Sequence, residues 1–316
     1  MRFSVIIPLF NKAPYVKKAI ESVLEQTWRD YELVVIDDGS SDDSFSIAQE
    51  TLKDSPAKYH LIRQVNSGVS TARNNGVSIS HGDYICFLDA DDWWEPTFLE
   101  EMDSLINDFP DAGLYGTSYT VVNNEKQKTR IASIGVADGF QRGYFDYFQA
   151  YINSFYMPIW TGAACMPRAV FDSVHGFNPQ LKMSEDFDLW VRIAMKYKVA
   201  LQNSPLSNYN QDVGLSNRAI GTLPPPETQF AFQADYLAEA KKDNPVLKYT
   251  VEMVQISCLR SYYLSKKYHE KTKAVLATLD LGAHRNKAYA SYLYHPYYLT
   301  VFKDWLFRIL RRWINK

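Results

Sequence analysis

Three carboxylates, Asp89, Asp91 and Asp92, follow directly after the short apolar run Tyr84–Leu88. This run is aromatic and β-branched, as is typical of a strand that is buried on both faces. Negative charges at the mouth of a buried strand are unfavourable unless a cation or hydrogen-bond donors compensate them. Oxygen ligands on alternate residues suit Mg²⁺ or Mn²⁺, especially a cation shared with the phosphates of a ligand. The alternative is a turn in which one Asp caps a helix that begins near Glu95, although capping needs only one carboxylate.

A second acidic pair, Glu185 and Asp186, opens a helical pattern that continues to Lys196. Acidic residues in the first turn of a helix interact favourably with the helix dipole, so capping is one interpretation. The other is that Asp186 is a general base, which requires only that its carboxylate reaches a hydroxyl proton. The sequence leaves both interpretations open.

Two further residues have the chemistry of a nucleotide site. Asp38 can accept from a nucleobase N–H group or a ribose hydroxyl, or it can form an Asx turn with Gly39. Arg73 lies one turn into a helix that starts at Gly68, so its guanidinium can point toward the same edge. A guanidinium beside a helix N-terminus makes a diphosphate site, whereas an exposed helical arginine is the simpler alternative.

Strand and helix patterns alternate over the first 88 residues. Strands are predicted at 3–8, 31–36, 59–65 and 84–88, with Pro8 ending the first, and helices at 13–26, 42–52 and 69–80. This order predicts an α/β fold with a doubly wound, mostly parallel, Rossmann-like sheet. Ligands of such sheets bind beyond the carboxyl ends of the strands. Phe10, Asp38, Gly68 and Asp89 all lie at such ends, and this shared position is the strongest indication of a binding site.

The rest of the chain is predicted to change from mixed to helical structure. A strand is predicted at 113–122, a hairpin turn at 123–125, a returning strand at 128–134, a loop at 135–143, and helices at 145–155 and 168–171. Three prolines at 224–226 are typical of a linker. Helical patterns follow at 229–242, 247–265 and 270–281. We therefore predict a catalytic domain at 1–222 and a helical C-terminal region at 223–316.

Residues 297–316 form an amphipathic pattern in which Trp305 and Trp313 lie on an apolar stripe flanked by basic residues. This fits a helix at the surface of an anionic membrane. It fits equally a terminal helix that docks on its own domain or on a twin subunit, as in a homodimer.

The composition excludes several classes of protein. The formal charge of −2 does not indicate a nucleic-acid partner. Three distant cysteines argue for a reducing compartment, and the strand-like start without a signal peptide predicts a cytoplasmic protein, either free or peripheral at the inner face of the cell membrane. The chain has neither a Gly-x-Gly-x-x-Gly after its first strand nor a Walker A loop, so a dinucleotide fold and a P-loop enzyme are not supported.

Taken together, five segments resemble the inverting glycosyltransferases of family 2, which have the GT-A fold. The segments are Ile7–Asn11, Ile36–Asp42, Asn66–Asn74, Phe87–Asp92 and Ser184–Trp190. The resemblance covers about residues 3–216. It implies a nucleotide-sugar donor, most often a UDP-sugar, a divalent cation (Mn²⁺ or Mg²⁺), and a hydroxyl of a glycan or lipid-linked acceptor, in the assembly of cell-surface polysaccharide.

The resemblance also implies roles for individual residues. Those around the nucleotide sugar would be Pro8, Phe10, Asp38, Gly68, Arg73, Asp89 and Ala90. Among them Arg73 would lie near the diphosphate and Asp89 at the ribose or sugar, while Asp91 would bind the metal and Asp186 would be the catalytic base. On the acceptor side we predict Trp160, Thr161, Glu185 and Trp190. Trp160, Trp93 and Trp190 are candidates for sugar stacking that could equally be core residues.

Two departures from the family pattern, and two other functions, bear on this prediction. Asp212 stands where many members have a His, which puts a diphosphate or metal contact there in doubt, and only Arg312 and Trp313 match the Gln-x-x-Arg-Trp of processive synthases. A transferase that adds a single sugar is therefore favoured. The alternatives are a sugar-1-phosphate nucleotidyltransferase, whose Gly-rich signature is missing between Leu9 and Tyr15, and a non-catalytic partner that binds a nucleotide sugar.

Overall fold

The computed structural model describes residues 1–123, 128–212, 223–295, 297, 299 and 300. The chain divides into two compact units, Met1–Gly221 and Thr222–Lys316. The assignment of a catalytic domain to 1–222 stays a prediction.

The first unit contains one mixed sheet of ten strands within its described residues. The strands are β1 (Phe3–Leu9), β2 (Tyr31–Asp37), β3 (Lys58–Arg63), β4 (Tyr84–Phe87), β5 (Trp93–Trp94), β6 (Ala112–Asn123), β7 (Lys128–Ile131), β8 (Arg142–Phe145), β9 (Ala164–Pro167) and β10 (Lys198–Asn210). Their order is β3-β2-β1-β4-β9-β6-β10-β5, with β7 beside β6 and β8 beside β10. The pairs β1–β2, β2–β3, β1–β4 and β6–β10 are parallel, which confirms the predicted α/β fold class.

Helices cover the faces of this sheet. They are α1 (Val16–Leu24), α2 (Ser44–Leu52), α3 (Val69–Ile79), α4 (Phe98–Asp108), α5 (Tyr147–Ser154), α6 (Arg168–Ser173) and α7 (Glu185–Ala194), with a 3-10 turn at Thr161–Ala163. The central strands β1 and β2 are buried along their whole length, as expected of parallel strands covered on both sides. Helix α1 buries Val16, Ala19, Ile20 and Val23 at helical spacing against them.

Several predicted boundaries were wrong by a few residues. Strand β1 continues through Pro8, which pairs with Ile36 in the parallel register, to Leu9. Strand β3 is half-exposed, lies at the outer end of the sheet order and ends at Arg63. The helix after the acidic cluster begins only at Phe98, with Thr97 at its N-cap position, so none of the three Asp residues caps it.

The sequence patterns missed β5, β8, β9 and, most notably, the 13-residue strand β10. Part of the predicted loop at 135–143 belongs to β8. Strand β10 is polar and contains Pro205, which lacks the N–H group that a sheet ladder uses. The register against β6 shifts on both sides of Pro205, and such irregularities accommodate proline in a strand. The returning strand β7 pairs antiparallel with β6, as predicted, whereas 124–125 of the predicted turn lie outside the described residues.

The second unit is helical within its described residues. It contains α8 (Ala238–Asp243), α9 (Pro245–Tyr263), α10 (His269–Leu276) and 3-10 segments at Pro226–Thr228, Phe230–Phe232, Ala234–Leu237, Leu281–His284 and Ala288–Tyr294. The predicted continuous helix at 229–242 was wrong. Ala231, Ala234 and Leu237 are buried at a spacing of three residues, which is the period of a 3-10 helix.

The small core of this unit is made by Ala231, Ile256, Leu259, Leu276, Ala290 and Tyr292. The predicted terminal helix at 297–316 lies almost wholly outside the described residues. Among the residues that are described, no helix combines the length and apolar character needed to cross a membrane.

Candidate active site

The sheet order brings the predicted site residues to one edge. Strands β2, β1 and β4 are adjacent and parallel, and the order of the strands reverses between β1 and β4. Such a reversal opens a crevice at the carboxyl ends of the strands. The backbone N–H group of Asp38 donates to Leu9 at 2.7 Å, and that of Leu88 donates to Ile6 at 3.0 Å, so the segments after the three strands start side by side.

The three carboxylates after β4 have separate partners. Asp89 accepts from Arg73 at 2.7 Å, and Asp91 lies 2.6 Å from the ammonium of Lys12. Asp92 is fully buried and accepts from the indole of Trp160 at 2.9 Å. The three therefore do not form one ligand cluster: they reach a guanidinium, an ammonium and an indole.

Burial is the main electrostatic influence on two of these acids. It raises the pKa of Asp91; Lys12 lowers this pKa, and the neighbouring charge of Asp89 raises it further. The pKa of Asp92 is raised well above its ordinary value by burial, then by Asp91 and Asp89. A divalent cation near Asp89, Asp91 and Asp92 would relieve the repulsion between these carboxylates.

The family resemblance implies a divalent cation, and one carboxylate here fits that chemistry. Asp91 keeps 18% of its side chain exposed and already faces a positive charge, the ammonium of Lys12. Mg²⁺ is commonly held by one or two carboxylates together with phosphate oxygens. Among the described residues, no group of three or more His, Cys, Asp or Glu side chains could hold a metal. A cation held by Asp91 would therefore need further oxygens, such as those of a ligand phosphate, to complete its shell.

Asp38 is fixed by the loop between β3 and α3. Its Oδ1 accepts from the backbone N–H of Ser67 and the amide of Gln64, and its Oδ2 accepts from the N–H of Gly68, all at 2.8 Å. These contacts replace the Asx turn with Gly39 that was the alternative interpretation. A carboxylate has about four acceptor positions, and these contacts use three of them on a side chain that is 3% exposed. A role toward a nucleobase or a ribose stays a prediction.

The other predicted nucleotide residues differ in exposure. Phe10 is 44% exposed and free to stack, whereas Pro8 and Ala90 are buried and contribute shape through the backbone. Gly68 is exposed at φ +90°, in the left-handed region, with no atom within 4 Å of where a Cβ would lie. A ligand can therefore approach the backbone closely at this glycine.

Arg73 connects the two acidic groups of the sequence. It is 3% exposed and donates to Asp89 at 2.7 Å and to Glu185 at 3.0 Å. Its guanidinium lies 4.9 Å from the ring of Phe177. Burial on its own would lower the pKa of Arg73, but Asp89 and Glu185 more than offset this and the pKa is raised. The predicted diphosphate contact stays a prediction, because the guanidinium is held here by two carboxylates.

Asp186 lies in the first turn of α7, after Ser184 in a left-handed conformation. Its Oδ1 accepts from the N–H of Phe187 at 2.7 Å, and its Oδ2 accepts from the hydroxyl of Thr161 at 3.1 Å. Burial and, to a smaller extent, Glu185 raise its pKa, Arg73 and the two hydrogen bonds oppose the rise, and the net result is a pKa of about 7. A carboxylate that titrates near neutral pH is suited to accept a proton from a hydroxyl group.

The structure separates the two predicted acceptor tryptophans. The Trp160 ring is half-buried and lies 4.1 Å from the ring of Tyr209. The Trp190 ring is completely buried and packs edge-on against Phe177. Trp190 thus takes the core position that was the alternative interpretation, and its role on the acceptor side stays a prediction.

Sequence reasoning missed three neighbours of the site: Lys12, Tyr209 and Asn210. Lys12 follows the first predicted strand, so its place at the carboxyl-end edge was the available signal. Tyr209 and Asn210 end the unpredicted strand β10; they lie in the stretch before Asp212 that was compared with the family pattern, but no role was assigned to them. Asp212 lies just beyond, where its backbone carbonyl accepts from the hydroxyl of Tyr15 at 3.4 Å.

Residues 4–174, more than half of the chain, match the profile of the family described as Glycosyl transferase family 2. The chain belongs to this family. Among curated proteins, the family 2 chain is 41% identical over 101 residues to the uncharacterized glycosyltransferase YibD of Escherichia coli, covering 32% of this chain and 29% of YibD. It likewise spans only 18% and 32% of the length of two other curated relatives.

Solved structures confirm the GT-A fold of the family 2 chain. TarS of S. aureus (residues 1–349), in complex with UDP-GlcNAc, has a TM-score of 0.62 at 17% identity, covering 88% of this chain and 71% of the other. The mannosyltransferase PcManGT of Pyrobaculum calidifontis, in complex with GDP-Man and Mn²⁺, has a TM-score of 0.56 at 18% identity, covering 95% and 83%. At this identity the likeness concerns the fold.

Proposed function

We propose that the protein is a metal-dependent, inverting glycosyltransferase that moves a sugar from a nucleotide sugar, preferably a UDP-sugar, to a hydroxyl of a glycan or lipid-linked acceptor. The observation that carries the proposal is the pair of salt bridges made by Arg73. They link Asp89, at the end of β4, to Glu185, the neighbour of Asp186. These two salt bridges hold the proposed nucleotide-sugar site and the proposed base, whose pKa is about 7, in one crevice.

The nucleotide would bind at the carboxyl ends of β1 and β2. Phe10 offers an exposed ring to the base, and Asp38 would accept from a nucleobase N–H or a ribose hydroxyl. Gly68 lets the diphosphate approach the start of α3, where helix N–H groups favour negative charge. The bound UDP-GlcNAc and GDP-Man of the two structural neighbours support a nucleotide-sugar ligand.

The chemistry would proceed by a single displacement. Asp186 takes the proton of the acceptor hydroxyl while that oxygen bonds to the anomeric carbon from the face opposite the diphosphate. The bond between the anomeric carbon and the diphosphate breaks, and its electron pair leaves with the diphosphate. Asp91 would hold the divalent cation, which compensates the charge that develops on the leaving group. Attack from the opposite face gives inversion.

The proposal is tested by donor hydrolysis without acceptor, using UDP-, GDP- and TDP-sugars with Mn²⁺. We expect slow release of one nucleoside diphosphate and, with acceptor, faster transfer with inverted anomeric configuration. The Asp186→Asn variant should still bind the sugar donor but lose transfer by about 10²–10⁴-fold. Near-normal turnover of this variant would refute the base assignment.

Two other outcomes would replace the proposal. Formation of a nucleotide sugar from a nucleoside triphosphate and a sugar 1-phosphate, with release of pyrophosphate, would identify a nucleotidyltransferase. Binding of a sugar donor without turnover under any condition would identify a non-catalytic partner.

The cellular setting is also a proposal. We propose that the protein works in the cytoplasm on cell-surface polysaccharide, with residues 297–316 on the inner face of the membrane, docked on their own domain, or in contact with a twin subunit. Liposome flotation of the full chain and of a chain ending at Tyr294 tests the first alternative. Equal flotation of both, or none, would discard membrane binding, and light scattering would report a homodimer.

A further inference from the structure

A cavity of about 260 Å³ in the first unit is lined by six aromatic side chains: Tyr119, Tyr151, Phe155, Tyr156, Trp160 and Tyr209. Two observations place this cavity beside the proposed base, Asp186. Trp160 immediately precedes Thr161, whose hydroxyl donates to Asp186. The ring of Tyr151 lies 5.3 Å from that of Phe187, the residue after Asp186.

We propose that this cavity is the acceptor subsite and that it holds one pyranose ring of a glycan acceptor. The inference rests on the proposed function and deepens it by naming the acceptor class. None of the predicted acceptor residues except Trp160 lines the cavity.

The chemistry of the lining favours a sugar over a hydrocarbon chain. Four of the six rings are tyrosines, which combine an apolar face with a polar hydroxyl. A pyranose presents the matching pattern, with C–H groups on its faces and hydroxyls around its edge. Gln211 adds a side-chain amide to the same wall.

The size of the cavity agrees with this choice. Pockets for drug-sized ligands begin at about 300 Å³, so a cavity of about 260 Å³ suits a single ring. A polyprenyl chain of many isoprene units would need a longer groove.

Hydrogen bonds within the protein hold three of the lining residues, or the backbone beside them, in place before any ligand binds. The Trp160 indole donates to Asp92 at 2.9 Å, and the N–H of Asn210, next to Tyr209, donates to the other oxygen of Asp92 at 2.8 Å. The hydroxyl of Tyr119 donates to the carbonyl of Met157 at 2.9 Å. Rings that are already oriented lose little entropy when a ligand stacks on them.

The test is saturation-transfer NMR on the full chain, with methyl β-D-glucopyranoside, methyl β-D-galactopyranoside and methyl N-acetyl-β-D-glucosaminide as probes. We expect saturation of the ring protons of at least one glycoside. The signal should fall at least fivefold in Tyr156→Ala and Tyr209→Ala, and it should persist in Tyr156→Phe, which keeps the ring. Tyr59→Ala, which removes an exposed tyrosine on β3, is the matched control and should not change the signal.

Three results would overturn the inference: no glycoside signal, a signal unchanged in both alanine variants, or displacement of the glycoside by farnesyl phosphate. UDP, GDP and TDP are added, one at a time, to the same samples to separate the two proposals. Binding of a nucleoside diphosphate without glycoside binding would contradict the subsite alone. Glycoside binding without binding of any of the three nucleotides would contradict the proposed function and leave a sugar-binding cavity.

Discussion

The carboxylate of Asp92 accepts a hydrogen bond of 2.9 Å from the indole nitrogen of Trp160. Its second oxygen accepts from the backbone N–H of Asn210 at 2.8 Å, next to Tyr209, whose ring lies 4.1 Å from the Trp160 ring. One buried acid therefore holds the Trp160 indole and the backbone beside Tyr209, two of the six aromatic residues that line the cavity. In the sequence this residue looked like a third member of a metal-binding group.

Removing that acid should destabilise the fold. Asp92→Ala leaves the Trp160 and Asn210 donors buried and unpaired, and each such group costs about 1–3 kcal/mol. We expect the free energy of unfolding in urea to fall by about 2–4 kcal/mol. Asp92→Asn keeps the shape and one acceptor oxygen, so its loss should be smaller. An Asp92→Ala protein as stable as the wild type would contradict this account.

The pH dependence of transfer should report Asp186. Its pKa is raised to about 7 by burial and by Glu185, and a general base acts only when ionised, so kcat should rise with pH through about 7. Glu185→Gln removes a neighbouring negative charge and should move this rise to lower pH. Glu185→Asp keeps the charge and serves as the control. A profile of Glu185→Gln that coincides with the wild type, or lies at higher pH, would disprove the assignment.

The raised pKa of Asp186 also makes the stability of the fold depend on pH. The pKa of Asp186 is higher in the folded chain than its ordinary value of about 3.9. Its contribution to stability is thus fully present below about pH 4 and is lost as the pH rises through about 7. The ionised form, in which Asp186 would act as the base, is therefore the less stable one.

Metal dependence should require Asp91. In the wild type, Mn²⁺ should strengthen UDP binding in calorimetric titrations relative to EDTA. In Asp91→Ala, the increase in UDP affinity caused by Mn²⁺ should be smaller by about tenfold or more, which corresponds to about 1.4 kcal/mol. Asp111→Ala removes an acid that is 75% exposed and should behave like the wild type. Equal Mn²⁺ enhancement in both variants would exclude Asp91 as the ligand.

The two salt bridges of Arg73 should be needed for stability as well as for geometry. Arg73→Met leaves Asp89 and Glu185 without their partner, and we expect unfolding to become easier by up to about 3 kcal/mol, because both acids keep some access to water. Arg73→Lys cannot reach both carboxylates with a planar fork and should rescue only part of the loss. Arg29→Met, at an exposed position, is the control and should change stability by less than about 0.5 kcal/mol.

The order of elements in the first half of the chain was readable from the sequence because its signals are local. Strands β1 and β2 are continuous apolar runs, and the spacing of Val16, Ala19 and Ile20 is that of a helix face. Strand β10 has no such signal, since its pairing with β6 depends on a partner about 85 residues away in the chain and tolerates Pro205 only through register shifts.

Candidate residues of the site could be predicted from the sequence, but their contact partners could not. Asp38, Asp91 and Asp186 were candidates because carboxylates at strand and helix ends have few chemical roles, and the family resemblance then implied the metal for Asp91 and the base for Asp186. Their partners could not be named, because the pairing of Lys12 with Asp91 and of Arg73 with Glu185 depends on tertiary contacts. Trp160 and Trp190 looked alike in the sequence, and only packing distinguishes them.

The outer position of β3 has a further consequence for handling the protein. The free backbone groups of an outermost strand form a template on which another polypeptide can add, and this is a common route to aggregation. Lys58 and Arg63 place charged side chains along this strand, where they pair with Glu32 and Asp37 of β2. About half of each basic side chain is exposed and would lose water in a strand-to-strand contact, so these residues oppose association of two molecules along β3.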